Sequence, residues 1–420
     1  MQKDFPPPNP HVTGIEAMRL LDVKAQTLYA YVSRGWIRRV RIPGGGKHSL
    51  YSREDVEKLK ARAKARTGHG PTAASAMRWG EPIIPTSITE ITAEGPSYRG
   101  RLAVDLARSG ATFEHVAGLL WTGGGRMEPA SWPVSPPPSA LRDLARHVAS
   151  LRPEKQLMEV FALYTLTLGM SRRMDADPLL AAREIVQTLV GCVGFLGPGR
   201  AFVRVTDGST VAAALLRALG LASTAHALSK VQAMLVLLAD HELPPSTFTA
   251  RVAASTGASL HACIVSALAA NSGVAIGRMY DGIEDFLRTY PTASRMMAEA
   301  RKAQAAGRVL PGFNHPLYPH GDPRGRLLLA LARATHPLPR RVAQLLEFLD
   351  EAERTLGAQP RVEMGVVAVC EALRLPKRAA GALFTVSRCA GWIAHVLEHR
   401  LAGYMLRPRA LYSGRPPSQA

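Results

Sequence analysis

Histidine, cysteine and clustered basic residues are the groups in this chain with chemistry to offer, and their spacing limits what that chemistry can be. His395 and His399 stand four apart in a helical stretch, a spacing that lets two imidazoles share a metal ion. No third ligand of matching spacing accompanies them. Gly123–Gly125 is not followed by the Gly-Lys-Ser/Thr of a phosphate loop. Cys192, Cys263, Cys370 and Cys389 are far apart and form no C-x-x-C pair, so reduced, mostly buried thiols and a cytosolic setting are expected. The formal charge is +19, and residues 1–70 hold 14 Lys/Arg against 6 Asp/Glu, a net of +8. That concentration points to a polyanion as partner for the segment, or to a solubilising surface.

The elements that must position these groups are mostly helical. Aromatics are 6% of the chain while Ala, Leu and Arg are plentiful, which favours helix over sheet. Residues 1–10 are Pro-rich and read as an unstructured tail. A compact helical unit spans 11–66, and 67–76 (TGHGPTAASA) reads as a linker. From 77 the chain reads as one large helical body, broken by the Gly/Pro loop 123–138. Helical periodicity runs through 155–169, 182–197, 208–219, 224–240, 246–270, 294–306, 325–335, 339–354, 362–373 and 377–402. No convincing set of alternating strands occurs, so the class is all-α, with a possible β-wing near 39–51. The N-terminus has no signal pattern, and the longest apolar stretch, near Met234–Leu238, is far short of a membrane span.

Thr13-Gly-Ile-Glu16 is a capping box opening a helix to Leu21. A second helix, Lys24–Ser33, stops at Gly35. Leu20, Leu21, Val23, Leu28, Val32 and Ile37 supply a small core. Two extended arms around Gly44–Gly46 follow, and Ser52-Arg-Glu-Asp55 caps a basic helix to about Arg66. The stretch LYAYVSRGWIRRVRIPGGGKHSLYSREDVEKL resembles the MerR/excisionase-like winged helix-turn-helix over about 55 residues. That resemblance implies that Gln26, Thr27 and Tyr29 lie on a groove-facing helix. Arg34, Arg38, Arg39, Arg41 and Lys47 would meet phosphates of duplex DNA. A protein-interaction role is the other use of such a module.

From residue 78 the ordered blocks RWGEPIIPTSITEIT, YRGRLAVDLARSGATFEHVAGLLW, ADHELPPSTFTARVAASTGASL, LPGFNHPLYPHGDPR, LFTVSRCAGWIAHVLEH and RPRALY resemble the citrate synthase family. The resemblance implies a two-part helical body, with 77–276 and 376–420 as the large domain and 277–375 as the small one, in a two-fold dimer. The family condenses acetyl-CoA with oxaloacetate, so it implies oxaloacetate or a related dicarboxylate as ligand. Acetyl-CoA would be a co-substrate, with no tightly bound cofactor or metal. It further implies that His241, Arg324 and Arg388 hold the dianion, that His315 polarises its ketone, and that Arg407 reaches the neighbouring subunit's site. Arginine suits such work because its planar fork grips a carboxylate at two points.

The acetyl-CoA half departs from the family pattern. Where G-P-L-H-G-G-A is expected the chain reads Gly273-Val-Ala-Ile276-Gly-Arg-Met279, so the enol-stabilising His is replaced by Ile276. Where N-V-D-F is expected it reads Arg361-Val-Glu363-Met364, so the base is Glu363, one methylene longer. Pro244 replaces an Asn and Asn314 a Gly. Arg278 is a candidate substitute cation near the enol. Three functions stay open: a subunit working with an intact citrate synthase-like chain, a dicarboxylate-sensing DNA-binding regulator, and a self-sufficient citrate or 2-methylcitrate synthase of low or altered activity. The oligomer is accordingly a homodimer or a heterodimer.

Overall fold

Apolar residues recurring every three or four positions dominate the chain, and the computed structural model folds it accordingly into helices. It describes residues 11–21, 23–33, 36–41, 49–53, 55–57, 59, 84–124, 129, 131–151, 153–155, 157–172, 177–308 and 310–408. The tail 1–10, the linker 67–76, Gly44–Gly46, Arg34, Lys47, most of the basic helix to Arg66 and part of the 123–138 loop lie outside the described residues. The chain divides into two units, Met1–Pro85 and Thr86–Ala420.

In the first unit, β1 (His11–Thr13), α1 (Gly14–Leu21) and α2 (Ala25–Ser33) precede β2 (Arg39–Arg41) and β3 (Ser49–Ser52). The strands form an antiparallel sheet in the order β1-β3-β2, pairing Val12 with Tyr51 and Val40 with Leu50. The Thr13 hydroxyl accepts from the Glu16 N–H at 3.2 Å and so caps α1, but the Glu16 carboxylate pairs with Arg53 instead of closing the expected capping box. Leu21, Leu28 and Ile37 are buried with Val12, Ala17, Tyr51, Val56 and Leu59, while Leu20, Val23 and Val32 pack at the edge of this core. The expected arms are β2 and β3; the third strand, β1, was not expected.

The second unit opens with a small meander, β4 (Thr89–Thr92), β5 (Gly95–Tyr98) and β6 (Arg101–Leu102), in the order β4-β5-β6. This corrects the expectation of no strands beyond the wing. All four residues of β5 are buried, so no alternation of apolar and polar residues marks it. Helices follow as α3 (Ala103–Arg108), α4 (Phe113–Thr122), α5 (Ser139–Ala149), α6 (Leu157–Met170), α7 (Pro178–Val193), α8 (Val211–Ala218) and α9 (Ala225–Leu238). Next come α10 (Pro245–Ser255), α11 (Leu260–Asn271), α12 (Met279–Thr289), α13 (Ala293–Ala305), α14 (Pro323–Arg333), α15 (Arg340–Leu356), α16 (Val362–Ala372) and α17 (Ala379–Ala402). The single helix expected over 246–270 is two, because Gly257 turns the chain at φ 81° and the Ser259 hydroxyl caps α11 by accepting from the Ala262 N–H. α12 was not expected; Gly282 inside it weakens its local preference.

α17 is the axis of the body and packs against α4, α7, α9, α10 and α11. Two segments, Pro178–Leu196 and Ala379–Ala402, are long and apolar enough to cross a membrane by length and composition. Burial of 72% and 94% of their apolar windows inside the fold accounts for that character as core packing. Where α17 crosses the end of α9, the Gly391 N–H donates to Ala239 O at 3.0 Å. Tyr98 on β5 steadies the same turn: its hydroxyl lies 3.1 Å from Leu237 O and accepts from the Asp240 N–H at 3.3 Å.

A Cβ at position 391 would lie 2.1 Å from Asp240 Oδ1 and 2.6 Å from Ala239 O. Gly391→Ala should therefore destabilise the protein by about 1–3 kcal/mol or more, since backbone must move to relieve the overlap. Chemical denaturation measures this, and a loss under about 0.5 kcal/mol, the ordinary scatter of surface changes, would refute the close crossing.

Candidate active site

Three segments converge in the second unit: the turn after α9, the loop 311–322 with the first turn of α14, and the middle of α17. Glu242 in the first of these is left-handed, at φ 63°. Such a conformation costs about 1–3 kcal/mol in a non-glycine residue, and here Asp240 Oδ2 accepts from the Glu242 N–H at 3.1 Å. His395 Nε2 lies 3.2 Å from the same oxygen, and Arg251 Nη1 lies 3.3 Å from His395 Nδ1. A guanidinium can only donate, so His395 Nδ1 accepts and its Nε2–H points to Asp240. Arg251 Nη1 also donates to Glu398 at 3.0 Å.

That turn presents His241, whose Nε2 is 3.0 Å from the Tyr318 hydroxyl. The His241 and His315 rings meet edge to face with centroids 5.4 Å apart. His315 Nδ1 accepts from the Leu317 N–H at 3.1 Å, which leaves the proton of the neutral ring on Nε2. Arg324 is buried; its Nε and Nη2 donate to the two Asp322 oxygens at 3.0 and 2.7 Å, and it lies over the Tyr318 ring. Arg388 donates from Nε to Leu238 O at 2.9 Å and lies over Phe384. The structure thus gathers His241, His315, Arg324 and Arg388 in one buried cluster.

Burial and the surrounding guanidiniums act together on the imidazoles. Burial, then Arg324 and Arg388, hold His241 well below its ordinary pKa. Burial, then Arg361 and Arg324, push His315 down to about 4. Burial raises Tyr318 to about 12. Burial opposes the charge on Arg324, but Asp322 outweighs it and leaves that pKa above the ordinary arginine value. Burial lowers Arg388 despite Asp240 nearby. At neutral pH the cluster is cationic through its arginines and neutral at its histidines.

The other half differs. Ile276 sits in the turn before α12, half-buried against the core, with no group to donate. Glu363 lies in the first turn of α16, where both its oxygens accept from Arg361, from Nε at 3.2 Å and Nη2 at 2.9 Å. Arg278 is half-exposed and paired with Glu159 at 3.1 Å, so it is committed to a surface ion pair. Asn314 is left-handed at φ 56° and its side-chain oxygen accepts from the Gln359 N–H at 2.9 Å. Asparagine is among the few residues that tolerate the backbone conformation a glycine would have there. Pro244 is the N-cap of α10, its carbonyl accepting from Phe248 N.

Elsewhere, His395 and His399 contact Arg251, Asp240 and Tyr404 O. No metal-binding cluster of three occurs among the described residues. All four cysteines are free and buried. Arg407 is exposed in the segment after α17 and makes no hydrogen bond or ion pair to another described residue. In the first unit Gln26, Tyr29 and Arg39 are exposed and Thr27 is half-exposed. Arg38 is joined to Asp55 by its N–H, Nε and Nη2. Arg41 lies in β2. Sequence reasoning passed over Tyr318, Asp322, Asp240 and Arg361. The first two stand within the HPLYPHGDPR block itself, so their proximity to His315 and Arg324 was the available signal.

The citrate synthase C-terminal domain family matches residues 77–409. The chain is 28% identical over 382 residues to 2-methylcitrate synthase of Shewanella oneidensis, covering 84% of this chain and 97% of that one. It is 28% identical over 341 residues to citrate synthase of Haloferax volcanii, covering 76% and 89%. Among solved structures it is similar to Thermoplasma acidophilum citrate synthase in ternary complex with carboxymethyl coenzyme A and oxaloacetate. That likeness has a TM-score of 0.66 at 22% identity and covers 81% of this chain and 96% of that one. A two-layered conclusion follows: the body has the mostly helical citrate synthase fold, and the chain belongs to the citrate synthase family.

His315 supplies a test of the buried cluster. Its folded pKa of about 4 lies below the ordinary value of 6.5, so the unfolded chain binds the proton more readily. The stability it contributes is complete above about pH 6.5 and is lost as pH falls toward 4. Unfolding free energy measured across that window should drop less steeply in His315→Gln. Equal slopes in the two proteins would refute the burial argument.

Proposed function

We propose that this chain keeps the half-site for oxaloacetate or a related dicarboxylate, has lost the half that activates acetyl-CoA, and acts as a subunit beside an intact homologue. The observation that carries the reading is the Arg361–Glu363 pair. A general base must bring an oxygen to the proton it removes, and two contacts from Arg361, which stands where the family pattern has Asn, tether the longer Glu363 carboxylate. Ile276 adds a second defect. Loss of one oxyanion-type donor costs roughly 10²–10³ in rate, and a base displaced by about 1 Å about 10² more.

In this reading Arg324 and Arg388 hold the carboxylates of the dianion, with His241 beside them, and the Nε2–H of His315 faces its ketone. The segment 277–375 is the smaller part that closes over the cleft, against 77–276 with 376–420. Leu163, Leu166 and Met170 are exposed on α6 at three- and four-residue spacing, a stripe suited to packing against a second helix across a two-fold axis. The homodimer and the heterodimer both use such a face; the heterodimer adds a use for Arg407, in the partner's working site. Acetyl-CoA would be the co-substrate there. A second reading, favoured by the exposed Gln26, Tyr29 and Arg39 of the first unit, is a DNA-binding regulator of the MerR-like kind with the dicarboxylate as signal. It requires full-length chain to bind duplex DNA with an affinity that falls as salt rises.

The purified chain alone should condense acetyl-CoA with oxaloacetate at least about 10³-fold more slowly than an ordinary family member. The combined change Ile276→His, Arg361→Asn and Glu363→Asp should raise that rate. Turnover within about tenfold of a working synthase, the scale of a 1.4 kcal/mol barrier difference, would overturn the impaired half-site.

Co-expression with an intact homologous chain, purified through a tag on this one, tests the subunit role. One-to-one recovery is expected, with Arg407→Ala here abolishing the partner's activity. Chains that stay apart, or a partner whose rate ignores Arg407→Ala, would overturn it and favour the regulator.

A further inference from the structure

The cavity beside Glu363 has a chemistry that a neutral acetyl group does not need. It measures about 410 Å³, with Val274, Met279, Leu310 and Phe313 among its apolar walls and two guanidiniums, Arg278 and Arg361, beside them. Met279 opens α12 and Arg361 caps α16, so two helix N-termini stand at this cavity. The first N–H groups of a helix lack intrahelical partners and carry partial positive charge. Both guanidiniums are paired, Arg278 with Glu159 and Arg361 with Glu363, and the rest of the named wall is apolar.

Arg361 stands where the family pattern has Asn, and it arrives together with the loss of the enol donor at Ile276. Glu363 occupies only one edge of its guanidinium, Nε and Nη2. A guanidinium has a second two-point edge, formed by Nη1 and Nη2. Nη1 makes no hydrogen bond to a described residue, and the side chain is 22% exposed, so that edge can be reached. Arg278 adds a second positive charge at the rim, partly offset by Glu159. Val274 is 78% exposed at the same cavity. An apolar side chain so placed gains by covering, at roughly 25 cal/mol per Å² of apolar surface removed from water.

We propose that this cavity binds the anion of a short-chain carboxylic acid. The carboxylate takes the open edge of Arg361, and the chain lies against Val274, Met279 and Phe313. The inference rests on the reading above that the acetyl-CoA half is idle, and it names what that half accepts instead.

The test is calorimetry of the full chain with straight-chain monocarboxylates, acetate to hexanoate, and the matching primary amides as neutral controls. The acids should bind saturably and the amides should not. Arg361→Asn should weaken the acids at least about tenfold, the worth of one charge-assisted two-point contact. Glu363→Gln should tighten them, because it removes the carboxylate that competes for Arg361; a merely structural role for the pair would not produce a gain. Arg388→Ala should leave the acids unchanged while weakening oxaloacetate. Amides that bind as well as acids, an Arg361→Asn protein with unchanged affinity, or acid binding abolished by Arg388→Ala would each overturn the proposal. Oxaloacetate titrated in parallel separates the two claims. Its failure to bind the unaltered chain overturns the dicarboxylate half-site, while the acid series alone decides the cavity.

Discussion

Two guanidiniums, Arg324 and Arg388, lie almost wholly out of water at the centre of the body, 2% and 4% exposed. Placing a charge there costs several kcal/mol unless a partner and hydrogen bonds offset it. Asp322 does so for Arg324 from two residues upstream, and it also accepts from the Arg324 N–H at 3.0 Å as the N-cap of α14. Helix start and ion pair are thus one arrangement. Asp240 stands near Arg388 with His395, Arg251 and Glu398 behind it. Glu398 in turn accepts from the Thr86 hydroxyl and the Ser87 N–H, both at 2.8 Å. A chain of polar groups, buried at Asp240, His395 and Arg251 and half-buried at Glu398, therefore runs from the cluster to the residues that lead into β4.

The geometry of His241 depends on this chain. Asp240 Oδ2 receives both His395 and the Glu242 N–H, so the residue that holds the left-handed backbone at 242 is itself anchored by α17. Gly391 leaves α17 room to approach the same turn, and Tyr98 bonds it from the opposite side. Such over-determination keeps a strained backbone in place. It also fixes the proton on His395, since Arg251 offers only donors. His241 and His315 are neutral for a related reason: burial beside guanidiniums disfavours a further positive charge.

Much of this was legible in the sequence, unevenly. Strongly periodic helices such as α15 and α17 were found within one or two residues, because the core imposes their pattern. The meander β4–β6 was not, since β5 is buried on both faces and its strands are short. The break at Gly257 was marked by Ser255-Thr-Gly-Ala-Ser259, a turn and cap signal that was read through as helix. At the site, the ordered blocks carried His241, His315, Arg324 and Arg388 to one place. What the blocks could not carry was partnership. That Glu363 would be taken up by Arg361, Arg278 by Glu159 and Arg38 by Asp55 depends on side-chain geometry that spacing does not encode.

The departures from the family pattern sort by what each position has to do. Where the task is a backbone conformation, the replacement still performs it: Asn314 takes the left-handed turn and bonds the neighbouring strand segment at Gln359, and Pro244 opens α10. Where the family pattern has polar chemistry, Ile276 has no polar group and Glu363 is paired with Arg361. A chain merely losing an unused site would let both kinds of position drift, and the fold around the site would loosen with them. Here the buried arginines keep their supporting bonds, and of the altered positions Arg361 lines the cavity beside α12. Positions with a backbone role and positions with a chemical role have therefore changed separately in this chain, the first keeping their conformation and the second their place but not their polar groups.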